Sequence, residues 1–560
     1  MFTGTIRIDD FEVLDRRLSQ NLLGGARIVA IPSNAQLGKE EAAWSYHTSP
    51  FPKWSLCLDH RNRGVLYRKT QPDNTACPVC RPKNSTPEAW RAAGHQKVRF
   101  IQVCEGGHMQ DVDWRHVVAS LGGNCVGGCR PQYFEWVGSG GALRSVMIRC
   151  PDCGGAANLG VAYSRRWRCS GDYPEEGLRG NGCTHQAAIV QRGAANVFLP
   201  AIVTALTIPQ TALRLHRLLG RRAILAVLGV LPPRNTADLR QLLQRLVDTA
   251  NLTQGTLDEI FLHDDQEIMR AVDDVMSPPQ NQNADQMRLD EYRRLREAAA
   301  IGYPPAPGGS VPQFEVIRGD VRTYQSPMGG RVRITPVSRL RVVMVQTGYS
   351  RLGGPAVDRR AQIDNDTWYP GVELFGEGLF IDLVDDLDAP RDLNLAGDDH
   401  DRWLHAYQVA VAAGGGAPVP GALHSHPLFV WWHSFSHRVI SAMALSCGYS
   451  SAALRERVFI DLDPTNGVVQ GGVLLYTVQP GGDGTLGGLI SLVPRFGEVL
   501  ARAFDTLDGC SNDPLCGEES KTPESANGAA CYACLFQSET SCEHRNMFLD
   551  RNLLLTNPLP

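Results

Sequence analysis

Cys57-Leu58-Asp59-His60, sixteen residues, then Cys77-Pro78-Val79-Cys80 is the stretch from which the organisation of this chain can be read. Two short knuckles separated by a loop supply four tetrahedral ligands to one zinc ion, here Cys57, His60, Cys77 and Cys80. Pro78 stiffens the second knuckle. A redox-active CxxC pair would instead need a strand-to-helix context that this segment lacks.

The other cysteines extend the pattern. Of the sixteen, ten fall between Cys57 and Cys183, one is Cys447, and five lie between Cys510 and Cys542, so two separate cysteine-dependent regions are expected. Cys150-x2-Cys153, fifteen residues, Cys169, thirteen residues, Cys183 reads as a second set, a ribbon with its second knuckle opened out. Gly154-Gly155 would let backbone amides approach those thiolates. Cys104, His108, Cys125 and Cys129 lie between the two sets; they form a third site, exchange ligands with the second, or, for Cys104 and His108, serve as core and surface residues. At the far end Cys516, Cys531, Cys534 and Cys542 are the preferred set, with Cys510 as the spare thiol and His544 as a further candidate. Closed four-ligand sites leave no position for water, so the expected cofactor is structural Zn2+ in two or more sites.

Composition narrows the setting. At 560 residues the chain exceeds one ordinary domain, and a formal net charge of −4 gives no global attraction to nucleic acid or membrane. Only six of its 55 basic residues are lysines, which reflects either base composition of the gene or arginine-rich phosphate contacts. Residues 1–10 show no apolar signal segment, and the longest apolar stretch, Ala223–Leu231, is too short to span a bilayer. A reducing cytoplasm and no membrane partner are expected.

The expected fold class is α+β and multidomain. Residues 1–195 read as a zinc-ribbon-like region of short strands, such as Lys97–Val103 and Leu143–Arg149, with a helix over Asp111–Ser120. Residues 196–300 carry helical apolar spacing in Leu213–Leu228, Leu239–Leu252 and Ile260–Met276. Residues 301–420 read as a β-rich connecting region with strands at Phe314–Arg318, Arg331–Val345 and Val372–Leu383, and 421–560 as an α/β domain with a zinc site. That last domain opens with a helix over Phe429–Leu445, followed by strands at Arg457–Leu462 and Gly472–Thr477. The glycine-rich turn 481–488 either binds phosphate or permits tight packing; it lacks the Lys-Ser/Thr of a P-loop.

His433 and His437 sit at i, i+4 on one helix face, a spacing that can bind a metal, but Ser434 replaces the glutamate of a zinc protease and no third ligand is near in sequence. No catalytic residue is assigned. A metal-dependent nuclease or other hydrolase built on His433, His437 and Asp483 is the alternative reading; a stand-alone zinc transcription factor fits poorly with the near-neutral charge.

The residues also resemble a family. His433-Ser434-Phe435-Ser436-His437, Cys447-Gly448-Tyr449-Ser450-Ser451 and Leu454-Arg455-Glu456-Arg457 look like the helicase-associated domain of Mrf-type helicases, found also in the DrmB family of DISARM phage-defence subunits. Gly484-Thr485-Leu486-Gly487-Gly488, Cys531-Tyr532-Ala533-Cys534, Cys104-Glu105-Gly106-Gly107-His108 and Asp113-Trp114 resemble the DrmB version. The resemblance implies a non-motor accessory subunit in antiviral defence that pairs with a DrmA-like helicase to bind and process foreign DNA. The partner would supply the ATPase. Contact with DNA would be sequence-nonspecific, with Arg165, Arg166, Arg168, Arg351, Arg359 and Arg360 as candidate phosphate contacts or solvated surface.

Overall fold

Short apolar runs between cysteine knuckles become short antiparallel strands. The computed structural model describes residues 8–40, 51–58, 60, 63–68, 77–79, 95–122, 125, 128–138, 142–207, 214–276, 282–303, 313–326, 330–363, 366–385, 405, 426–444, 446–463, 468–480, 487–505, 507–517 and 527–556. The chain divides into two units: Met1–Asp10, Pro32–Ile202 and Gln346–Ala361 form one, and Phe11–Ile31, Val203–Val345 and Gln362–Pro560 form the other.

In the first unit one sheet runs in the order His95–Lys97, Trp54–Cys57, Gly64–Arg68, Tyr133–Val137, Met147–Arg149, Ala156–Asn158. A second runs Arg166–Arg168, Gln186–Gln191, Phe100–Val103, Met109–Asp111, every pair antiparallel. Leu66, Phe134 and Ile148 pack in one cluster with Trp114 and Val118 of the helix Trp114–Leu121. That helix starts where the Asp113 carboxylate accepts the His116 amide at 3.0 Å, an N-cap. The strand expected over Leu143–Arg149 begins later, because Leu143–Ser145 takes a 3-10 turn before the strand Met147–Arg149.

The second unit is built on long strands. Its sheet takes residues 203–206 of Leu199–Leu206 and 331–345 of Arg331–Ser350, followed in order by Asp366–Val384, Val468–Pro480 and Arg455–Asp463. Residues alternate between two cores with the period of two that a strand imposes. Leu379, Ile381, Val473, Leu475, Val458 and Ile460 join the core around the helix Pro427–Ala444. Phe380, Leu474, Tyr476 and Phe459 join Tyr292, Leu295 and Ala298 of the helix Ala284–Ile301 on the other face. A sheet covered on both faces reads as nearly continuous apolar runs, as these strands do. The helix Pro427–Ala444 is buried on nearly every side: Trp431, Phe435, Val439 and Met443 are at most 3% exposed, and so are His433 and His437 on another face.

The helical stretch has a core of its own. Leu215, Leu219, Ile224, Leu239, Leu243, Leu257, Ile268 and Val272 pack together from five consecutive helices between Arg214 and Met276. The apolar run Leu213–Leu228 breaks at Gly220, giving Arg214–Leu219 and Arg222–Val230. Ile260–Met276 breaks where Asp264 takes the Glu267 amide at 2.9 Å and restarts the helix at Asp265–Met276. Among the described residues no helix is long and apolar enough to cross a membrane.

These units differ from the expected divisions. No boundary falls near 301 or 421, because Asp366–Val384 pairs with Val468–Pro480 from Leu374↔Pro480 to Asp382↔Gly472. Residues 11–31 leave the N-terminal region, since Arg27–Val29 pairs in parallel with Trp368–Pro370. Backbone hydrogen bonds between remote strands set these boundaries, and composition carries no trace of them.

Ion pairs are buried in the second unit. Glu291 takes the Leu206 amide at 3.1 Å and Arg457 Nε at 2.6 Å; Arg457 Nη1 reaches Glu543 at 2.9 Å, and Arg288 Nη2 reaches it at 2.7 Å. Glu291 is fully buried and Arg457 is 5% exposed, so removing Glu291 leaves Arg457 buried with Glu543 alone and takes the acceptor from the buried Leu206 amide. Glu291→Ala is expected to lower unfolding stability by about 3–5 kcal/mol. Arg293→Ala, which removes the exposed pair with Asp461, should cost at most about 1 kcal/mol. Denaturant titration of both variants checks this; equal midpoints would show that the buried network does not lock the sheet.

Candidate metal centres

Among the described residues, five groups of histidine, cysteine or carboxylate donors each bring their ligand atoms within 4.8 Å of one another. Four of them are cysteine-rich. Cys57, at the end of the strand Trp54–Cys57, meets His60 and Cys77; His60 Nε2 is 3.3 Å from Cys77 Sγ. Cys80, the expected fourth ligand, lies outside the described residues.

The second group is Cys104, His108, Cys169 and Cys183. Cys104 follows the strand Phe100–Val103 and His108 precedes Met109–Asp111; Cys169 follows Arg166–Arg168 and Cys183 precedes Gln186–Gln191. The four strands are neighbours and antiparallel, so all four donors emerge at one end of one sheet. Cys104 Sγ stands 3.5 Å from Cys169 Sγ and 3.3 Å from His108 Nδ1. Backbone amides of Gly171 and His185 donate to Cys169 and Cys183 at 3.4 and 3.3 Å.

The third group is Cys125, Cys129, Cys150 and Cys153. Its knuckle is the turn between Met147–Arg149 and Ala156–Asn158, closed by Gly154 N to Cys150 O at 2.9 Å and Cys150 N to Gly155 O at 2.8 Å. Gly154 adopts φ +75°, which a side chain would strain. The Gly155 amide holds the Cys153 thiol below its ordinary value. The fourth group is Cys510, Cys516, Cys531 and Cys534, with Sγ···Sγ separations of 3.5 Å (Cys510–Cys531), 3.6 Å (Cys516–Cys534) and 3.7 Å (Cys531–Cys534). Zinc at a Zn–S distance near 2.3 Å in a tetrahedron spaces its sulfurs about 3.8 Å apart, so this cluster fits the ion as it stands.

Two expected ligand sets are therefore regrouped. Cys150 and Cys153 do not join Cys169 and Cys183; each pair completes a different group, because strand neighbours and not chain spacing decide which thiols meet. Cys542 does not join Cys516, Cys531 and Cys534; Cys510 takes that place, and Cys542 Sγ lies 3.2 Å from His433 Nε2. His544 is buried and belongs to none of the five groups; its ring meets Phe429 edge-on at 4.9 Å.

The arginine candidates also divide. Arg351 is 1% exposed: its Nε donates to Val197 O at 3.1 Å, its Nη2 to Glu175 Oε1 at 2.9 Å, and its guanidinium lies 4.3 Å over Tyr349. It braces the first unit and is withdrawn as a phosphate contact. Arg359 pairs with Glu176 at 2.5 Å and Arg360 with Asp358 at 2.9 Å, so both are neutralised locally. Arg165, Arg166 and Arg168 are exposed, and Trp167 between them is buried, which sets Arg166 and Arg168 on one strand face. In the glycine-rich turn, residues 481–486 lie outside the described residues. The Gly487 and Leu489 amides donate to the buried Glu377 carboxylate at 2.7 and 2.8 Å, so an internal anion already occupies that end.

Spacing in the chain and grouping in space give opposite metal counts. Cys153→Ala and Cys183→Ala are each expected to lose about one zinc per chain and the double variant about two, measured by elemental analysis; one shared ion would be lost only once. Burial pushes the Cys125 and Cys169 thiols up to about 12, so both are protonated at neutral pH without metal. Returning zinc to chelator-stripped protein should release about one proton per such thiol, and affinity should fall as pH falls. Proton release in weak buffer measures this, and none would mean that these thiols do not bind.

Residues 5–199 match a domain of unknown function (DUF8724), and residues 435–535 match the MrfA Zn-binding domain. The chain is 25% identical over 549 residues to the DISARM protein DrmB of Bacillus paralicheniformis, covering 91% of this chain and 88% of that protein. A match to the crystal structure of DUF1998 helicase MrfA bound to DNA has a TM-score of 0.20 and 10% identity, and covers 44% of this chain but only 25% of that one. So slight an overlap carries no argument. The MrfA Zn-binding match encloses Cys510, Cys516, Cys531 and Cys534, and with the other clusters it makes the cofactor structural zinc. The chain thus resembles the DISARM protein DrmB along nearly its whole length and carries an MrfA Zn-binding domain near its C-terminal end.

Proposed function

We propose that this chain is a non-motor accessory subunit that pairs with a DISARM-type helicase to bind and process foreign DNA in antiviral defence. The observation that carries this reading is the similarity to DrmB over 91% of the chain. The clusters support it chemically: three of the four cysteine-rich groups are closed sets of four donors, three or four of them thiols, which suit ions that staple a scaffold rather than activate water. In this reading the cysteines of the four cysteine-rich groups bind the ions, with His60 and His108 completing two of the sets. The helicase partner, DrmA-like, supplies ATP hydrolysis, and the work is done in the cytoplasm.

Contact with DNA would be electrostatic. A defence system that must engage any invader gains little from reading bases, whereas phosphates are common to all of them. The exposed Arg165, Arg166 and Arg168 are the surviving candidates, presented from a strand edge beside the zinc ligand Cys169. The hydrolase alternative loses its site: His433 and His437 are at most 1% exposed, and no substrate reaches them there. Asp483, its third member, lies outside the described residues.

Co-expression with a DISARM helicase should give a complex that survives size-exclusion chromatography. Duplex DNA binding should weaken steeply with salt, and alanine at Arg165, Arg166 and Arg168 together should flatten the slope of log K against log salt by up to about 0.9 for each phosphate left without its arginine. A chain that binds neither helicase nor DNA would sink the proposal.

A further inference from the structure

The fifth group of donors is unlike the other four. It comprises His433 and His437 from the helix Pro427–Ala444, Glu456 from the strand Arg455–Asp463, and Cys542 from the C-terminal segment. His433, His437 and Glu456 are at most 1% exposed, and Cys542 is 5% exposed. His433 Nε2 is 2.8 Å from Glu456 Oε1 and 3.2 Å from Cys542 Sγ; His437 Nε2 is 3.1 Å from the same Oε1.

The hydrogens decide what this cluster is for. His433 Nδ1 is 3.1 Å from Phe548 O, and His437 Nδ1 is 2.7 Å from Leu535 O. A carbonyl oxygen only accepts, so each Nδ1 donates outward, and the Nε2 of each ring is the atom left facing the centre. The Glu456 carboxylate is turned by its other oxygen, which meets the Ser436 hydroxyl. Cys542 Sγ accepts the backbone amides of His544 and Asn546, both at 3.3 Å, which hold it in place. Four ligand atoms therefore converge on one point, each side chain held from outside by a backbone or hydroxyl partner. Backbone and hydroxyl partners that fix each ligand's orientation are the usual surroundings of a bound metal.

We propose that His433, His437, Glu456 and Cys542 hold a divalent transition-metal ion, zinc by the donor set, in a second C-terminal site separate from the four-cysteine cluster. Imidazole nitrogen, carboxylate oxygen and thiolate sulfur are all zinc ligands, and tetrahedral bonds of ordinary length set the donors about 3.3–3.6 Å apart, a few tenths of an ångström wider than here. The two anionic ligands balance a 2+ ion, so the buried site is neutral, which burial at this depth requires. With four protein ligands and no opening to solvent the ion is structural. It pins the C-terminal segment to the central helix and the sheet, beside the Asp550 amide that donates to Ser434 Oγ at 2.8 Å. This site does not rest on the DISARM reading and stands or falls separately from it.

The test is the zinc content of the purified full-length chain. Cys542→Ser and Cys534→Ala should each lose about one zinc, and the double variant about two. Unchanged zinc in folded Cys542→Ser, with one lost in Cys534→Ala, would overturn the site and leave a buried His–Glu ion-pair network. If Cys542→Ser does not fold, His437→Cys keeps four ligands. On cobalt substitution it should gain sulfur-to-cobalt absorption over the parent chain, and an unchanged spectrum would equally overturn the proposal.

Discussion

The first unit depends on thiol clusters gathered where its strands end. The strands of its four-stranded and six-stranded sheets run three to six residues, from His95–Lys97 to Gln186–Gln191, and strands this short bury little surface of their own. Cys104, His108, Cys169 and Cys183 gather the ends of four adjacent strands at one point, and Cys150 and Cys153 hold a hairpin against Cys125 and Cys129. Binding free energy in such sites is folding free energy, so metal compensates for apolar area that the strands cannot supply. Arg351 adds an organic staple to the same unit, its guanidinium tied to Val197, Glu175 and Tyr349.

The second unit solves the problem differently. Strands such as Arg331–Ser350 and Asp366–Val384 are long enough to carry two cores, one under Pro427–Ala444 and one under Ala284–Ile301. Burial of both faces leaves polar groups nowhere to find water, so they are paired: Arg333 with Asp382, Arg457 with Glu291 and Glu543. The four-cysteine cluster lies outside the main core, in a patch with Leu535 and Leu549, where the chain has loops and little regular structure. The thiol clusters thus lie where regular secondary structure ends or is sparse, in both units.

This arrangement bears on function through rigidity. If, as proposed above, the chain is an accessory subunit of a helicase, it needs a surface that does not yield, and closed metal sites with buried ion pairs would supply one. The exposed arginines beside Cys169 sit on a strand whose position the metal group fixes, so a phosphate contact there would be pre-positioned.

By itself the sequence determined the chemistry: which regions carry zinc, that a helix runs over about 429–445 with Trp431, Phe435, Val439 and Met443 at helical spacing, and that His433 and His437 share a face. Knuckle spacing and helical period are local, and local patterns survive in a one-dimensional string. Only the tertiary structure decided which ligands meet. Cys169 and Cys183 find Cys104 and His108 because four strands are antiparallel neighbours; Cys510 displaces Cys542 through the fold of the C-terminal loops; Glu456 reaches His433 and His437 from a strand with no spacing signal linking them. The domain boundaries expected near 301 and 421 vanish for the same reason: Asp366–Val384 pairs with Val468–Pro480 through backbone hydrogen bonds that any side chain permits, so composition leaves no record of the pairing.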